Sequence, residues 1–233
     1  MDIQRAAELL AAHSAKEFGN ALKKNGDPFK DFYKSLPICI LDAVFSIGVR
    51  YTSVVNVVNS YIGTFDLTIS RTQVDETEHT IRDFLTNVAK YDTIEDFSKN
   101  VLHNMQRTSS RNGILKAEAC REVALVCQKH GINTLRDFND YADKAALDKD
   151  IKSVRGQGSG IMLKYLYMLA GDENRVKPDR HVVRFIKETC ALQKLTDDDA
   201  QAVMGRAAEI LKPEYPNVTV RFLDSLIWET QRQ

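Results

Sequence analysis

Apolar residues recur at the three- and four-residue spacing of an α-helix along nearly the whole chain. Residues 51–63 have a strand-like composition, but their valines and isoleucine also fit one helix face, and we interpret them as a helix. The spacing predicts helices at 3–23, 36–48, 51–63, 73–89, 93–104, 113–131, 134–142, 145–153, 160–170, 180–190, 197–211 and 218–230. The sequence therefore predicts an all-α fold of many short helices.

Local signals mark several of these helix ends. Asp2 can cap the first helix, and Gly26 before Asp27-Pro28 ends it. Asp92, followed by Thr93-Ile94-Glu95, predicts a capping box at the start of 93–104. Thr196, followed by three aspartates, predicts a cap and an acidic first turn for 197–211. The run at 36–48 is apolar on most sides and predicts a buried helix.

Composition narrows the class of protein. The chain has 233 residues, of which 43% are hydrophobic and 27% charged, an ordinary soluble globular composition. No apolar run is long enough to cross a membrane, and the N-terminus does not resemble a secretory signal, so we expect a cytoplasmic protein without a membrane partner. The four cysteines (Cys39, Cys120, Cys127 and Cys190) show no C-x-x-C spacing, so we expect no zinc or iron–sulfur site. Because 32 basic residues balance 32 acidic ones, net charge gives no global support for nucleic-acid binding and leaves only a local basic patch open.

Three glycines at alternate positions interrupt the helical pattern in "SVRGQGSGIMLKYLYMLAG", residues 153–171. We interpret 145–153 and 160–170 as helices joined by a tight connection over 154–159, in which Gly156 and Gly158 supply positive φ. Glycines also leave backbone N–H groups uncovered at the start of the second helix, which suits a phosphate. A plain helix–helix turn is the alternative.

The hairpin and the segment after it resemble a known family. "VRGQGSGIMLKYLYML" is followed by "GDENRVKPDRHVVRF" (171–185), in which Pro178-Asp179 lies about twenty residues after the glycines. Upstream stand "NGILKAEACREVALVCQKHGINTLRDF" and "ICILDAVFSIGVRYTSVVNVV". Over about residues 36–190 the chain resembles the helix-hairpin-helix/Gly-Pro-Asp superfamily of DNA glycosylases, which are related to endonuclease III.

The resemblance implies a two-lobed helical glycosylase fold with a helix-hairpin-helix motif. Residues 36–170 would form a central lobe that ends in the hairpin, and residues 1–35 with 171–233 would form the second lobe. A groove between the lobes would hold an extruded nucleotide. The implied partner is double-stranded DNA with a base lesion, bound by a monomer.

Asp179 is the catalytic residue that the resemblance implies. Cleaving an N-glycosidic bond builds positive charge on the sugar, and a nearby carboxylate stabilises that charge and can activate water. The alternative role for Asp179 is a simple helix cap. Gly160 stands where bifunctional relatives carry a Schiff-base lysine, so no β-lyase step is expected. Lys164, one turn further on, we interpret as a surface or phosphate-facing lysine.

The expected function is a monofunctional DNA N-glycosylase of base-excision repair, a hydrolase of N-glycosyl bonds. The alternative is a catalytically inactive DNA-binding helix-hairpin-helix protein. A third reading, a helical protein whose hairpin binds another protein or a phosphorylated small molecule, also stays open.

The resemblance assigns DNA contacts to the hairpin. Its phosphate cradle would be Gly156, Gly158, Ser159 and Gly160, with Arg155 and Lys164 beside it. The backbone carbonyls of Lys152, Val154 and Gln157 would hold a monovalent cation. No other cofactor is required, and the iron–sulfur loop of some relatives is absent because no cysteine follows Cys190.

Two further segments are candidates for DNA contact. In "SIGVRY" (46–51), Arg50 or Tyr51 would fill the gap left by the extruded base, because an aromatic plane stacks on any base. Core packing is the alternative for Tyr51. The loop 106–116 carries Arg107, Arg111 and Lys116 and is either a phosphate-contacting loop or a solvated one.

Overall fold

The computed structural model describes residues 1–23, 33, 35–67, 78–172 and 180–231. Over these residues the protein is all-helical, with twelve α-helices and no strand, as the periodicity predicts. The chain divides into two compact units. One comprises Met1–Pro28 with Asp172–Gln233, and the other comprises Phe29–Gly171.

The unit Phe29–Gly171 is built around one fully buried helix. Its helices are α2 (Leu36–Phe45), α3 (Tyr51–Phe65), α4 (Ile81–Val88), α5 (Ile94–Asn100), α6 (Lys116–Lys129), α7 (Leu135–Asp140), α8 (Lys144–Ser153) and α9 (Ile161–Leu169). All ten residues of α2 are buried, because its sequence is apolar except for Asp42 and because α3, α6 and α9 pack around it. Cys120 and Cys127 lie two turns apart on the buried face of α6, and burial raises the pKa of Cys127 to about 12.

A series of hydrogen-bonded polar side chains crosses the aromatic part of this core. Tyr61 is fully buried among Phe65, Phe84 and Phe97. Asn87 Nδ2 donates to Tyr61 Oη at 3.4 Å, and Tyr61 Oη lies 2.7 Å from His79 Nε2. A neutral His79 accepts the tyrosine proton in this arrangement. Burial lowers the pKa of His79, which keeps the ring neutral.

The other unit contains α1 (Ile3–Lys23), α10 (Arg180–Thr189), α11 (Asp197–Leu211) and α12 (Val220–Gln231). The main packing is between α1 and α11, whose facing sides carry buried alanines: Ala6, Ala7 and Ala11 on α1, and Ala200, Ala207 and Ala208 on α11. Small side chains let the two helix backbones approach closely. Cys190 Sγ, at the end of α10, donates to the carbonyl of Ala6 at 3.3 Å.

Several predicted signals at helix starts and ends are confirmed. Asp2 Oδ1 accepts from the backbone N–H of Arg5 at 3.1 Å and so caps α1. Thr196 and Asp199 form a full capping box on α11. Gly131 follows α6 with φ +73°, as expected of a glycine that ends a helix. Gly26 lies outside the described residues.

Several predicted boundaries are wrong, among them the end of 36–48, since α2 stops at Phe45; four others have a local reason. Residues 78–80 precede α4 in an extended segment, because Thr80 caps that helix in a capping box with Asp83. The N-cap of α5 is Thr93 rather than Asp92. That helix stops at Asn100, and the chain then turns through His103 at φ +47°. Residues 113–115 belong to a loop before α6, because this segment pairs with 106–108: the Thr108 N–H donates to the Ile114 carbonyl and the Lys116 N–H to the Gln106 carbonyl.

In the described part of the chain, no helix combines the length and the apolar character that spanning a membrane requires.

His79 makes stability depend on pH. The unfolded chain binds a proton at His79 near its ordinary pKa of 6.5, and the folded chain binds it only at lower pH. Stability from this group is therefore complete above about pH 6.5 and falls as the pH drops through the folded pKa. We expect His79→Gln to flatten the slope of the unfolding free energy against pH between 6.5 and 5, measured by urea denaturation. His103→Gln, at an exposed ring, serves as the control and keeps the wild-type slope; equal slopes for both variants would contradict the assignment.

Candidate functional site

The connection between α8 and α9 is a tight turn of two successive hydrogen-bonded loops. The backbone N–H of Gln157 donates to the carbonyl of Val154 at 2.9 Å, and the N–H of Gly160 donates to the carbonyl of Gln157 at 3.0 Å. Gln157 is 4% exposed, so it is buried in the middle of the turn. Ser159 lies exposed at the tip.

The three glycines of this turn have different roles. Gly156 has φ +88°, and a side chain there would lie 2.4 Å from Cβ of Thr108. Gly160 has φ +74° and is the N-cap of α9. Gly158 does not have positive φ, so that part of the prediction is wrong and Gly160 takes the role instead. The nearest atom to a side chain on Gly158 would be the Lys152 carbonyl oxygen at 3.8 Å, so its surroundings are open.

The start of α9 offers backbone N–H groups at the surface. A helix leaves the N–H groups of its first turn without carbonyl partners, and Gly160 has no side chain to cap them. The Ser159 hydroxyl accepts from the Ile161 N–H at 3.4 Å, a long hydrogen bond. Gly158, Ser159 and Ile161 are exposed, whereas Gly160 is buried beside the Lys152 side chain, whose Nζ lies 3.7 Å from where a Cβ on Gly160 would be. An anion at this helix end would therefore meet both backbone N–H groups and an ammonium.

The loop 106–115 lies against the hairpin. The N–H of Thr108 donates to the carbonyl of Ile114 at 2.9 Å, and Arg107 Nη1 donates to the carbonyl of Gly113 at 2.9 Å, so the loop folds back on itself. Its Thr108 side chain contacts Gly156. Sequence reasoning treated this loop and the hairpin as separate candidates, and the structure brings them together.

Arg107 and Arg155 line one groove of about 510 Å³. The backbone turn at Asn112–Gly113 forms another part of its wall. Two carboxylates, Glu95 and Glu118, also line the groove, so its charge is mixed rather than uniformly basic. The groove is continuous with the hairpin through Arg155.

Lys116 does not contribute to this surface. It is 3% exposed, and its Nζ donates to the carbonyls of Phe45 at 3.0 Å and Ile47 at 2.8 Å. The suggestion that Lys116 contacts phosphate is therefore wrong. The ammonium instead satisfies carbonyls at the C-terminus of α2, where the negative end of the helix dipole also favours a cation.

The turn after α2 exposes Arg50 and Tyr51, the two residues predicted to fill the gap left by an extruded base. Gly48 adopts φ +71°, Arg50 is the N-cap of α3, and Tyr51 is the first residue of that helix. Arg50 is exposed, and Tyr51 is 43% exposed. The core alternative for Tyr51 is therefore wrong.

A buried carboxylate lies behind this turn, and sequence reasoning missed it. Asp42 is 0% exposed in the middle of α2. Tyr33 Oη donates to its Oδ2 at 2.6 Å, and Ser46 Oγ donates to its Oδ1 at 2.9 Å. The Tyr165 hydroxyl also hydrogen-bonds to Asp42. Burial and the Asp42 charge raise the pKa of Tyr33 and Tyr165, so both phenols stay protonated. The lone acid within "LPICILDAVF" was the signal available in the sequence.

The remaining residues predicted for the site are Asp179, the carbonyls expected to hold a cation, and Lys164. Asp179 and Pro178 lie outside the described residues. Of the carbonyls predicted to hold a cation, those of Val154 and Gln157 already accept one hydrogen bond each within the turn, and each oxygen keeps a second lone pair. Lys164, interpreted as a surface or phosphate-facing lysine, is half-buried on α9. Within the described ranges, no three His, Cys, Asp or Glu side chains group as a metal site.

The contrast between two glycines of the turn gives a stability prediction. Gly156→Ala places a side chain at left-handed φ and against Thr108, so we expect the unfolding free energy to fall by about 2 kcal/mol or more. Gly158→Ala is the matched control and should change it by less than about 0.5 kcal/mol, because neither strain nor a close contact arises. Urea unfolding followed by circular dichroism measures both. Similar values for the two variants would show that the Thr108 contact does not constrain the turn.

Comparison with known proteins gives one match. No curated protein and no solved structure matches the chain significantly. Residues 9–232 match the family described as a domain of unknown function, DUF8548, and the match spans almost all of the 233 residues. The chain therefore belongs to the DUF8548 family.

Proposed function

We propose that the protein is a monofunctional DNA N-glycosylase that grips the DNA backbone with the α8–α9 hairpin. The observation that carries the proposal is the open start of α9. There, left-handed Gly160 has no side chain to cap the first-turn N–H groups, the Ile161 N–H makes a long hydrogen bond to exposed Ser159, and Arg155 is exposed nearby in the turn. A phosphate accepts hydrogen bonds from such N–H groups and is favoured by the helix dipole. The resemblance of the hairpin to the helix-hairpin-helix glycosylases supplies the choice of DNA over other phosphates.

The loop 106–115 extends this surface. Arg107 lines the same groove as Arg155, and the contact between Gly156 and Thr108 fixes the loop against the hairpin. Two arginines that line one groove beside the hairpin would each contribute positive charge toward a DNA phosphate. A local basic contact of this kind is compatible with a net charge of zero, because affinity for a phosphate depends on the charges near it.

Base removal is assigned to Asp179 through the resemblance. Its carboxylate would stabilise the positive charge that develops on the sugar and would activate the attacking water. The expected product is an abasic site without strand cleavage, because Gly160 replaces the amine nucleophile of the bifunctional relatives. The monovalent cation on the carbonyls of Lys152, Val154 and Gln157 would add a further positive charge to the cradle.

An abasic-site assay tests the reaction. The intact protein is incubated with duplexes carrying alkylated, oxidised, deaminated or mismatched bases, with and without later alkali. We expect strand breaks only after alkali on at least one duplex, and a loss of at least about a hundredfold in Asp179→Asn. Asp197→Asn, an exposed carboxylate on α11, is the control and keeps the wild-type rate. Breaks without alkali would contradict the monofunctional assignment, and the absence of breaks on every duplex would favour the inactive DNA-binding alternative.

Salt dependence tests the DNA surface. Each phosphate contact releases counterions, so Arg155→Gln and Arg107→Gln should each weaken binding to any duplex and reduce the slope of log affinity against log salt by about 1. Arg136→Gln is the matched control, because this arginine is 89% exposed on α7 and pairs with Asp140. Fluorescence anisotropy at several salt concentrations gives the slopes. A wild-type slope near zero would exclude phosphate contacts.

A further inference from the structure

We propose that a groove along α10 is a docking site for an acidic peptide segment of a partner protein, with an apolar side chain among its carboxylates. All residues that line this groove belong to the unit built from α1, α10, α11 and α12. None of them lines the groove beside the hairpin. The inference therefore goes beyond the proposed function and does not depend on it.

The charge of this groove is mostly positive. The groove has a volume of about 440 Å³, and its lining residues are Arg180, Val183, Arg184, Lys187, Glu188 and Leu192. Three of these residues are basic and one is acidic. The whole chain carries 32 basic and 32 acidic residues, so the local excess does not follow from composition. Positive charge gathered in one groove of a neutral chain favours an anionic partner there.

The basic side chains follow one side of the helix. Arg180, Arg184 and Lys187 are four and then three residues apart, the spacing that places side chains on one face of α10. At about 1.5 Å per residue, they cover roughly 10 Å of the helix axis. Arg180 and Arg184 are exposed, and Lys187 is half-buried. A ligand that runs along the helix therefore meets three positive charges in succession.

Arg184 is held in position by the last residue of α12. Its Nε and Nη2 donate to Gln231 Oε1 at 3.1 and 2.8 Å. Because Gln231 is neutral, the guanidinium charge is not compensated by this contact. Within the described ranges, no ion pair includes Arg180, Arg184 or Lys187. A guanidinium oriented before the ligand arrives loses less conformational entropy on binding.

The apolar and acidic residues of the groove favour a peptide over a nucleic acid. Val183 and Leu192 are half-buried, so part of each side chain stays in contact with solvent. A sugar–phosphate backbone brings no apolar side chain to cover them, whereas a peptide can place one beside its carboxylates. Glu188 is exposed in the same groove and would repel a continuous row of phosphates. The lining therefore fits an acidic peptide that carries one apolar residue.

Fluorescence anisotropy with labelled peptides and the intact protein tests this site. The probe is a decapeptide of aspartate and glutamate with a central leucine, blocked at both ends. One comparison peptide replaces the leucine by alanine, and a second replaces every acid by its amide. We expect saturable binding of the probe that weakens as salt rises, about fivefold weaker binding of the alanine peptide, and no saturable binding of the amide peptide.

Variants with opposite expected effects separate recognition from folding. Arg184→Gln and Lys187→Gln should each weaken binding of the probe about threefold to fivefold, because each removes one attractive charge. Glu188→Gln should strengthen it about twofold, because it removes a repulsive one. Arg5→Gln, at an exposed arginine on α1 of the same unit, is the matched control and should keep the wild-type affinity. A folding defect does not raise affinity, so the gain in Glu188→Gln reports on the charge of the groove itself.

The remaining outcomes would overturn the docking site. Absence of saturable probe binding, or an affinity that is the same in Arg184→Gln and Glu188→Gln as in the wild type, would show that the groove does not hold an acidic peptide. Paired DNA that displaces the probe, with an affinity that falls in Lys187→Gln and rises in Glu188→Gln, would assign the groove to a nucleic acid. A dimer in sedimentation experiments that Arg184→Gln dissociates would assign it to a second copy of the chain.

Discussion

The C-terminus of α2 is the point on which the larger unit depends. Lys116 extends from the first turn of α6 and donates to the carbonyls of Phe45 and Ile47 from a buried position. These contacts join α6 to α2 and fix the course of the chain through Gly48 to Tyr51. An ammonium buried against helix-end carbonyls is stabilised by the helix dipole and by direct hydrogen bonds. The exposed turn and the side chains around Asp42 both take their positions from this junction.

The hairpin has a different origin of rigidity. Its shape comes from backbone geometry. Gly156 and Gly160 have left-handed φ, and two successive hydrogen-bonded turns span Val154–Gln157 and Gln157–Gly160. It is then fixed from outside by Thr108, which packs where any side chain at position 156 would have to lie. One glycine thus both shapes the turn and attaches the neighbouring loop, which is why Arg107 and Arg155 share a groove.

Much of the fold follows from periodicity, and less of the site does. Helix positions were predictable because each helix buries one face, and starts such as that at Thr196 were predictable because side-chain caps are local. The assignment of positive φ to Gly158 failed because three glycines in five residues do not reveal which φ each adopts. Lys116 was misinterpreted because its partners lie about seventy residues upstream, at Phe45 and Ile47. The tyrosines around Asp42 come from segments far apart in sequence, so only the lone acid within an apolar helix pointed to them.

The wide sequence separation of α1 and α11 in the smaller unit affects how the chain folds during translation. Its first helix packs mainly against α11, and 173 residues separate the end of one from the start of the other, from Lys23 to Asp197. During translation, the compact unit of residues 29–171 is complete before α11, the main packing partner of α1, has been made. During that interval the apolar stripe of α1, with Leu10, Phe18 and Leu22, is without the helix that later covers it. The interval before α11 is translated is therefore when the nascent chain is most exposed to chaperone capture and aggregation.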